Sequence, residues 1–246
     1  MHYMNTIKAI LTGHTRGLGA ALADTLIARG IAVLGVSRTR SAVHASGLLK
    51  EVELDLADIN ALQTWIETGA LKRFVDGAHT VVLINNAGML QPVGPVEGQD
   101  VGAIGRSVSL NVAAPLMLSA AVAASAPSVL DRRIVHISSG AARNAYPGWS
   151  IYCATKAALD HHARAVALDH NRALRIGSVA PGVIDTDMQA EIRGTGLDAF
   201  PLREKFDDLK RSGQLSTPAD AARKVLDYAL SDAFGETPVT DVRELA

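Results

Sequence analysis

Short β-branched runs and longer amphipathic stretches alternate along this chain, the pattern of a parallel sheet covered on both faces by helices. A first strand is predicted over Ile7 to Thr12, followed by a glycine turn and a helix ending at Ala28. Ile31 to Ser37 reads as a second strand, Glu51 to Leu54 as a third, and helical periodicity resumes at Ile59. Thr80 to Asn85, Arg133 to Ser138 and Arg175 to Ala180 read as strands four to six, with helices over 101–124 and 151–170 between them. After Ala180 the pattern weakens, and 181–216, rich in Gly, Asp, Arg and Thr, reads as a segment that covers substrate. Thr217-Pro218 then reads as an N-cap with proline at the first helical position, opening a helix to Ser231; a short strand over Val239 to Val242 closes the chain. The expected fold class is α/β: a single-domain Rossmann fold over 1–246, with a doubly wound parallel sheet of about seven strands and helices on both faces.

Composition narrows the function classes. A formal charge of −1 with mixed signs along the chain offers no basic field for nucleic acid. No uninterrupted apolar run approaches the roughly 18 residues of a membrane span. The opening MHYMNTIKAILTG has no charged leader or cleavage site, so a cytoplasmic protein is expected. One cysteine, Cys153, excludes an internal disulfide and is read as a packing residue. His161 and His162 point about 100° apart on a helix, poor geometry for shared ligation, and no metal site is expected.

The chemistry begins at Thr12-Gly-His-Thr-Arg-Gly-Leu-Gly19. Between a strand and a helix, glycines permit a tight turn and let backbone N–H groups approach an anionic pyrophosphate at the helix N-terminus. Gly13, Thr15, Arg16, Gly17, Leu18 and Gly19 are therefore candidate cofactor residues. At the end of the second strand, Gly35-Val-Ser-Arg38 lacks the acid that would hold a free ribose 2′-hydroxyl. Ser37 and Arg38, with Arg16 close by, suit a 2′-phosphate instead, so NADP(H) is the expected cofactor. Asp55 is a candidate for the adenine amino group, with Leu56 beside the ring, although Asp55 also suits a cap on the next helix. Asn86, Ala87 and Gly88 follow the fourth strand and allow close approach to the cofactor.

Tyr152 and Lys156 lie one turn apart on one helix face. A phenol of ordinary pKa near 10 must exchange a proton near neutral pH, and an adjacent ammonium favours its ionised form. Lys156 is expected to lower the Tyr152 pKa and to hold the nicotinamide ribose; Cys153 and Thr155 are rotated off this face. A hydroxyl of Ser138 or Ser139, at the carboxyl edge of the sheet, suits a substrate oxygen as charge builds on it. Asn111, inside the 101–124 helix, is expected to bind through its amide a water that relays protons toward Lys156.

Taken together, TGHTRGLG, NNAG, Asn111, Ser139, Tyr152-Cys-Ala-Thr-Lys156 and Pro181-Gly182 resemble the short-chain dehydrogenase/reductase family over nearly the whole chain, in the family's order and spacing. The resemblance implies Tyr152 as general acid, Lys156 as its tuning partner, Ser139 orienting the carbonyl and Asn111 supporting the relay. It also brings Pro181, Gly182, Val183, Ile184, Thr186 and Met188 to the cofactor. His14 departs from the family pattern, standing where a smaller residue is usual. A narrower similarity, in 138–149 and 181–189, is to the sepiapterin reductase and bacterial benzil reductase branch. That branch implies NADPH-dependent reduction of an aromatic or vicinal dicarbonyl, with Tyr146, Trp149 and Met188 facing a flat substrate or else packing the lid, and with Asp185 or Asp187 available to a polar ring. One rival is reduction of carrier-bound 3-oxoacyl chains, for which Arg193, Arg203, Lys205, Lys210 and Arg211 would form a docking patch. A catalytically silent NADP-sensing regulator is the other, although Tyr152 and Lys156 are both present. The alanine-rich faces of 101–124 and 151–170 suggest a homodimer or homotetramer.

Overall fold

The computed structural model describes residues 6–41, 47–125, 129, 131–169, 171 and 173–245; the opening residues 1–5 and position 170 of the expected helix lie outside these. Seven strands form one sheet: β1 (Ile7–Thr12), β2 (Ala32–Ser37), β3 (Leu49–Glu53), β4 (Thr80–Asn85), β5 (Asp131–Ile137), β6 (Leu174–Ala180) and β7 (Val239–Asp241). Their order is β3-β2-β1-β4-β5-β6-β7 and every pairing is parallel. The doubly wound architecture expected from the alternation is therefore present. The chain winds outward in one direction through β2 and β3 and in the other from β4 onward, so a crevice opens beyond the carboxyl ends of β1 and β4.

Burial explains the strand sequences. All six residues of β4, at the centre, are buried and apolar apart from their ends, whereas β3 at the edge alternates with exposed charge. One face packs under α1 (Gly17–Ala28) and α9 (Pro218–Leu230), joining Leu22 and Leu26 to Val225 and Leu226. The other face carries α2 (Ile59–Glu67), α3 (Ala70–Val75), α5 (Ala114–Ser125) and α6 (Ser150–Ala167), which bring in Leu62, Leu71, Leu118 and Ala163. Thr217 caps α9 as expected, its hydroxyl accepting from the Asp220 N–H at 3.1 Å.

Three expectations are corrected. The helix over 101–124 is α4 (Val101–Val108), a π-helical turn (Ser109–Ala113) and α5, so Asn111 sits where an extra residue widens the helix. The run 101–125 also has the length and hydropathy of a membrane span, yet it packs on the sheet through Ala114, Leu118 and Val122. Finally, β5 begins two residues early, because Asp131 is tied to Arg133 at 2.8 Å and to Arg175 at 2.9 Å across β5 and β6. Within 181–216 the chain forms α7 (Asp187–Gly194) and α8 (Arg203–Arg211).

Candidate active site

The turn after β1 is shaped by steric necessity. Gly13 has φ +68°, and a Cβ there would stand 3.0 Å from the Ala87 Cα; one on Gly19 would lie 1.9 Å from the Gly13 carbonyl oxygen. Thr12 Oγ1 accepts from the N–H groups of Asn86 and Ala87, each at 2.9 Å, and Asn86 Nδ2 donates to the Thr12 and Gly13 carbonyls at 3.0 and 3.1 Å. The segment Asn86 to Gly88 is thereby laced to the glycine turn. Helix α1 starts at Gly17 with no side-chain cap and no acid in its first turn, leaving its N–H groups directed at the crevice. These features fit a dinucleotide pyrophosphate: a turn that only glycine can close against its neighbours, at a helix end that favours negative charge.

The other expected cofactor residues fall into two groups. Arg16 and Arg38 are exposed, and Thr186, the N-cap of α7, lies against Gly17 and brings the start of 181–216 over the turn. Pro181 is buried, Gly182 has φ +81°, and Val183 and Ile184 are fixed by Ser216, whose N–H donates to the Val183 carbonyl at 2.9 Å. Leu18 and Leu56, by contrast, belong to the core, 8 % and 3 % exposed, because each lies on the inner side of its segment. Asp55 Oδ1 accepts from the Ala57 N–H at 3.0 Å, while Asp58 is the cap of α2. Ser37 is buried, with its hydroxyl on the Thr39 carbonyl at 2.6 Å. His14 fits its unusual place because β2 carries glycine at Gly35: the ring lies over that position and reaches Glu51 on β3 at 2.7 Å.

Tyr152, Lys156 and Ser139 converge at the carboxyl end of β5. Tyr152 and Lys156 are 7 % and 5 % exposed, the Ser139 hydroxyl acts on the phenol in the direction that favours its ionised form, and Lys156 Nζ lies 5.7 Å from the centre of the Tyr152 ring. Lys156 Nζ donates to the Ile137 carbonyl at 2.8 Å, and a Cβ on Gly88 would sit 3.6 Å from it, so the lysine adjoins the segment laced to the glycine turn. Burial outweighs the expected tuning of the phenol. Burial pushes Tyr152 up to about 12, only partly opposed by the Ser139 hydroxyl, and burial pushes Lys156 down to about 8 against the field of Asp160. Loss of water disfavours both charged forms, and the ammonium is turned toward Ile137.

Asn111 braces the segment after β4. Its amide bonds both ways with Met89, accepting from the N–H at 2.9 Å and donating to the carbonyl at 2.8 Å, and it also donates to Thr155 Oγ1 at 3.2 Å. The side chain thereby clamps the loop after β4 to α6, with one acceptor position of Oδ1 taken by Met89. Thr155, read as rotated away, is thus part of the clamp. Sequence reasoning also missed Asp160, 1 % exposed, which accepts from Ser138 at 2.6 Å and Ser178 at 2.7 Å. An acid one turn beyond Lys156 was visible in the helix spacing; the partner from β6 was not. His162 meets buried His136 at 3.0 Å, and burial pushes His136 down to about 3, so it is neutral.

On the substrate side, Trp149 is 4 % exposed and stacks face to face on Phe200, ring centres 4.4 Å apart, with Phe206 at 5.4 Å. The packing reading therefore holds for Trp149, because 181–216 supplies aromatic partners for its faces. Tyr146 and Met188 are partly buried beside the same cluster. Asp185 is ion-paired with Lys210 of α8, and Asp187 stands 3.5 Å from Arg16.

Comparison with known proteins agrees with this geometry. The short chain dehydrogenase family profile matches residues 8–196. Benzil reductase ((S)-benzoin forming) of Bacillus cereus is 31 % identical over 96 % of this chain and 98 % of its own length. Sepiapterin reductase of Xenopus laevis is 32 % identical over 94 % of this chain and 93 % of its own. The crystal structure of a short-chain dehydrogenase/reductase from Burkholderia vietnamiensis, 53 % identical, superimposes with a TM-score of 0.71, covering 98 % of this chain and 99 % of that one. The glycine turn beside Ser139, Tyr152 and Lys156, together with these matches, shows that the chain is an oxidoreductase belonging to the short-chain dehydrogenase/reductase family.

Proposed function

We propose that the protein reduces an aromatic or vicinal dicarbonyl compound to an alcohol with NADPH, using Tyr152 as proton donor. The observation that carries this reading is the meeting of Ser139, Tyr152 and Lys156 at the strand edge beside the glycine cradle. A nicotinamide dinucleotide held there supplies the hydride. The hydroxyls of Ser139 and Tyr152 hold the carbonyl oxygen, and Tyr152 passes its proton to that oxygen as negative charge accumulates on it. A phenol raised to about 12 keeps its proton until a strong base forms beside it, which suits a donor in the reductive direction. Lys156 sets a positive field next to the phenol and suits the ribose hydroxyls. The exposed Arg16 and Arg38, with no acid at the end of β2, favour the 2′-phosphate.

The same reading takes 1–246 as one domain with 181–216 as its lid. Three of the five cations named for an acyl-carrier docking patch are paired with acids, Arg203 with Asp207, Lys210 with Asp185 and Arg211 with Asp208, which weakens that rival. We assign a homodimer or homotetramer through α4 and its neighbours, where Val101 is 81 % and Val108 43 % exposed; sedimentation as a monomer at micromolar concentration would remove that assignment. The test of function follows NADPH oxidation with benzil against an acetoacetyl thioester. Benzil is expected to be the better substrate, and Tyr152→Phe should lower its turnover about 10²- to 10⁴-fold while NADPH still binds. Undiminished turnover in that variant would refute the proton donor.

A further inference from the structure

His14, inside the glycine turn, has no part in the steps above. Its side chain is fully buried, and the ring takes the space that Gly35 of β2 leaves open, since a Cβ there would stand 2.6 Å from Nδ1. Nε2 lies 2.7 Å from Glu51 Oε1, and Glu51 is the residue of β3 paired with Gly35. Burial alone would raise the Glu51 carboxyl, but the Ser41 N–H, His14 and Arg40 hold it below its ordinary value, so it is ionised and accepts from the ring. Burying an imidazole costs hydration, and among the described residues Nδ1 has no hydrogen-bond partner. A smaller side chain would close the turn without that cost. What the imidazole adds is reach, because it ties the turn to an acid two strands away.

The same Glu51 oxygen accepts from the Ser41 backbone N–H, also at 2.7 Å. One carboxylate oxygen thus bonds two segments: the turn, where Thr15 and Arg16 follow His14, and the run after β2, where Arg38, Thr39 and Arg40 precede Ser41. Gly13 also donates to the Val36 carbonyl at 2.8 Å, but that bond lies inside β2, before these cations begin. The side chains of Arg16 and Arg40 are 72 % and 69 % exposed, and their acids, Asp187 and Glu53, stand 3.5 and 3.4 Å away. Exposed pairs of this kind hold an arginine only weakly. Where the cations meet is therefore set by how their backbone is fixed.

We propose that His14, acting through Glu51, is a positioning residue for the cofactor's 2′-phosphate: the tether holds 38–41 against the glycine turn, so that Arg16 and Arg38 meet the phosphate together. This rests on the NADPH reading above. In an open sheet of this kind the adenosine ribose lies beyond the end of β2, between the first glycine turn and the residues that follow that strand. Both arginines come to it from segments that Glu51 fixes. Two guanidiniums on fixed backbone lose less freedom on binding than two on loose backbone. Because His14 and Ser41 bond to the protein and not to the phosphate, removing either bond should leave the contacts to the rest of the nucleotide in place.

Oxidised NADP and oxidised NAD differ only in the 2′-phosphate, and calorimetric titration of each into the protein reads that group without turnover. The wild-type protein should bind NADP at least about tenfold more tightly than NAD. His14→Ala should lower that ratio about three- to tenfold, while NAD affinity changes by less than about twofold. Ser41→Pro, which deletes the N–H donor and leaves the buried ring untouched, should do the same and decides the matter where His14→Ala does not fold. Glu51→Gln, which keeps an acceptor oxygen, should retain most of the ratio that Glu51→Ala loses. An unchanged ratio in His14→Ala or Ser41→Pro, equal losses for the two nucleotides, or a Glu51→Gln protein no better than Glu51→Ala overturns the tether and leaves NADPH use standing. No preference for NADP in the wild-type protein overturns both.

Discussion

The glycine turn after β1 and the aromatic cluster beneath α7 and α8 are built by opposite means. In the turn, backbone lies on backbone: Gly13 against Ala87 and Gly19 against the Gly13 carbonyl, with Thr12 and Asn86 supplying the cross-links. In the cluster, side chain lies on side chain, with Trp149 on Phe200 and Phe206 alongside. A backbone contact at van der Waals distance admits one residue type, whereas a stack of rings admits many. The difference teaches that the turn tolerates a narrow set of residues, whereas the aromatic cluster rests on packing that several side chains could supply.

The largest effect should come from adding one methyl group to the turn. Gly19→Ala places a Cβ within 1.9 Å of a carbonyl that cannot move without disturbing β1. Loss of NADPH binding by about 100-fold or more, or failure to fold, is expected in fluorescence titration and thermal melting. Unimpaired binding would show that the turn is not sterically closed. The matching change at the other end, Phe200→Ala, leaves Trp149 without its stacked partner and should cost about 3–5 kcal/mol by chemical denaturation if lid and body unfold together. Its effect on NADPH affinity should be much smaller than its effect on ketone KM. Equal effects on both would mean that the two regions are not separately built.

A smaller effect sharpens the comparison where the regions meet, at Lys156. Its folded pKa of about 8 lies below the 10.5 of an exposed lysine, so the unfolded chain binds more protons between those values. Stability should therefore rise with pH from about 8 to 10.5, and the cost of burying the charge is fully present below 8. Lys156→Met should gain about 1–3 kcal/mol at pH 7, with the gain shrinking as pH rises, while turnover falls. In the wild type, kcat/KM should decline above about pH 8 as Lys156 loses its proton. A variant no more stable than wild type at pH 7 would count against a buried, charged lysine.

How far the sequence could be read follows the same division. Thr80–Asn85 was legible to the residue because a central strand is apolar throughout, and Thr217-Pro218 because capping is local. Tyr152 and Lys156 were legible because one helical turn brings them together without help from the rest of the chain. Asn111 was identified, but its clamp on Met89 was not, since the π turn that positions it is set by packing between α4 and α6. The raised Tyr152 pKa was likewise hidden, because desolvation depends on what packs around the phenol: Trp149 lies against its ring, and Phe200 and Phe206, distant in sequence, pack on Trp149. The approach of Arg143 to Asp241 was hidden too, because it needs β5 paired with β6 and β6 with β7.

By itself, then, the sequence determined the order of elements, the glycine cradle and the helix that bears Tyr152 and Lys156, all consequences of steric and periodic rules acting within a few residues. Only the tertiary structure decided which polar groups lose water and which find a partner. Those outcomes depend on contacts between segments far apart in the chain, and they set the charge, acidity and reach of every group around the substrate.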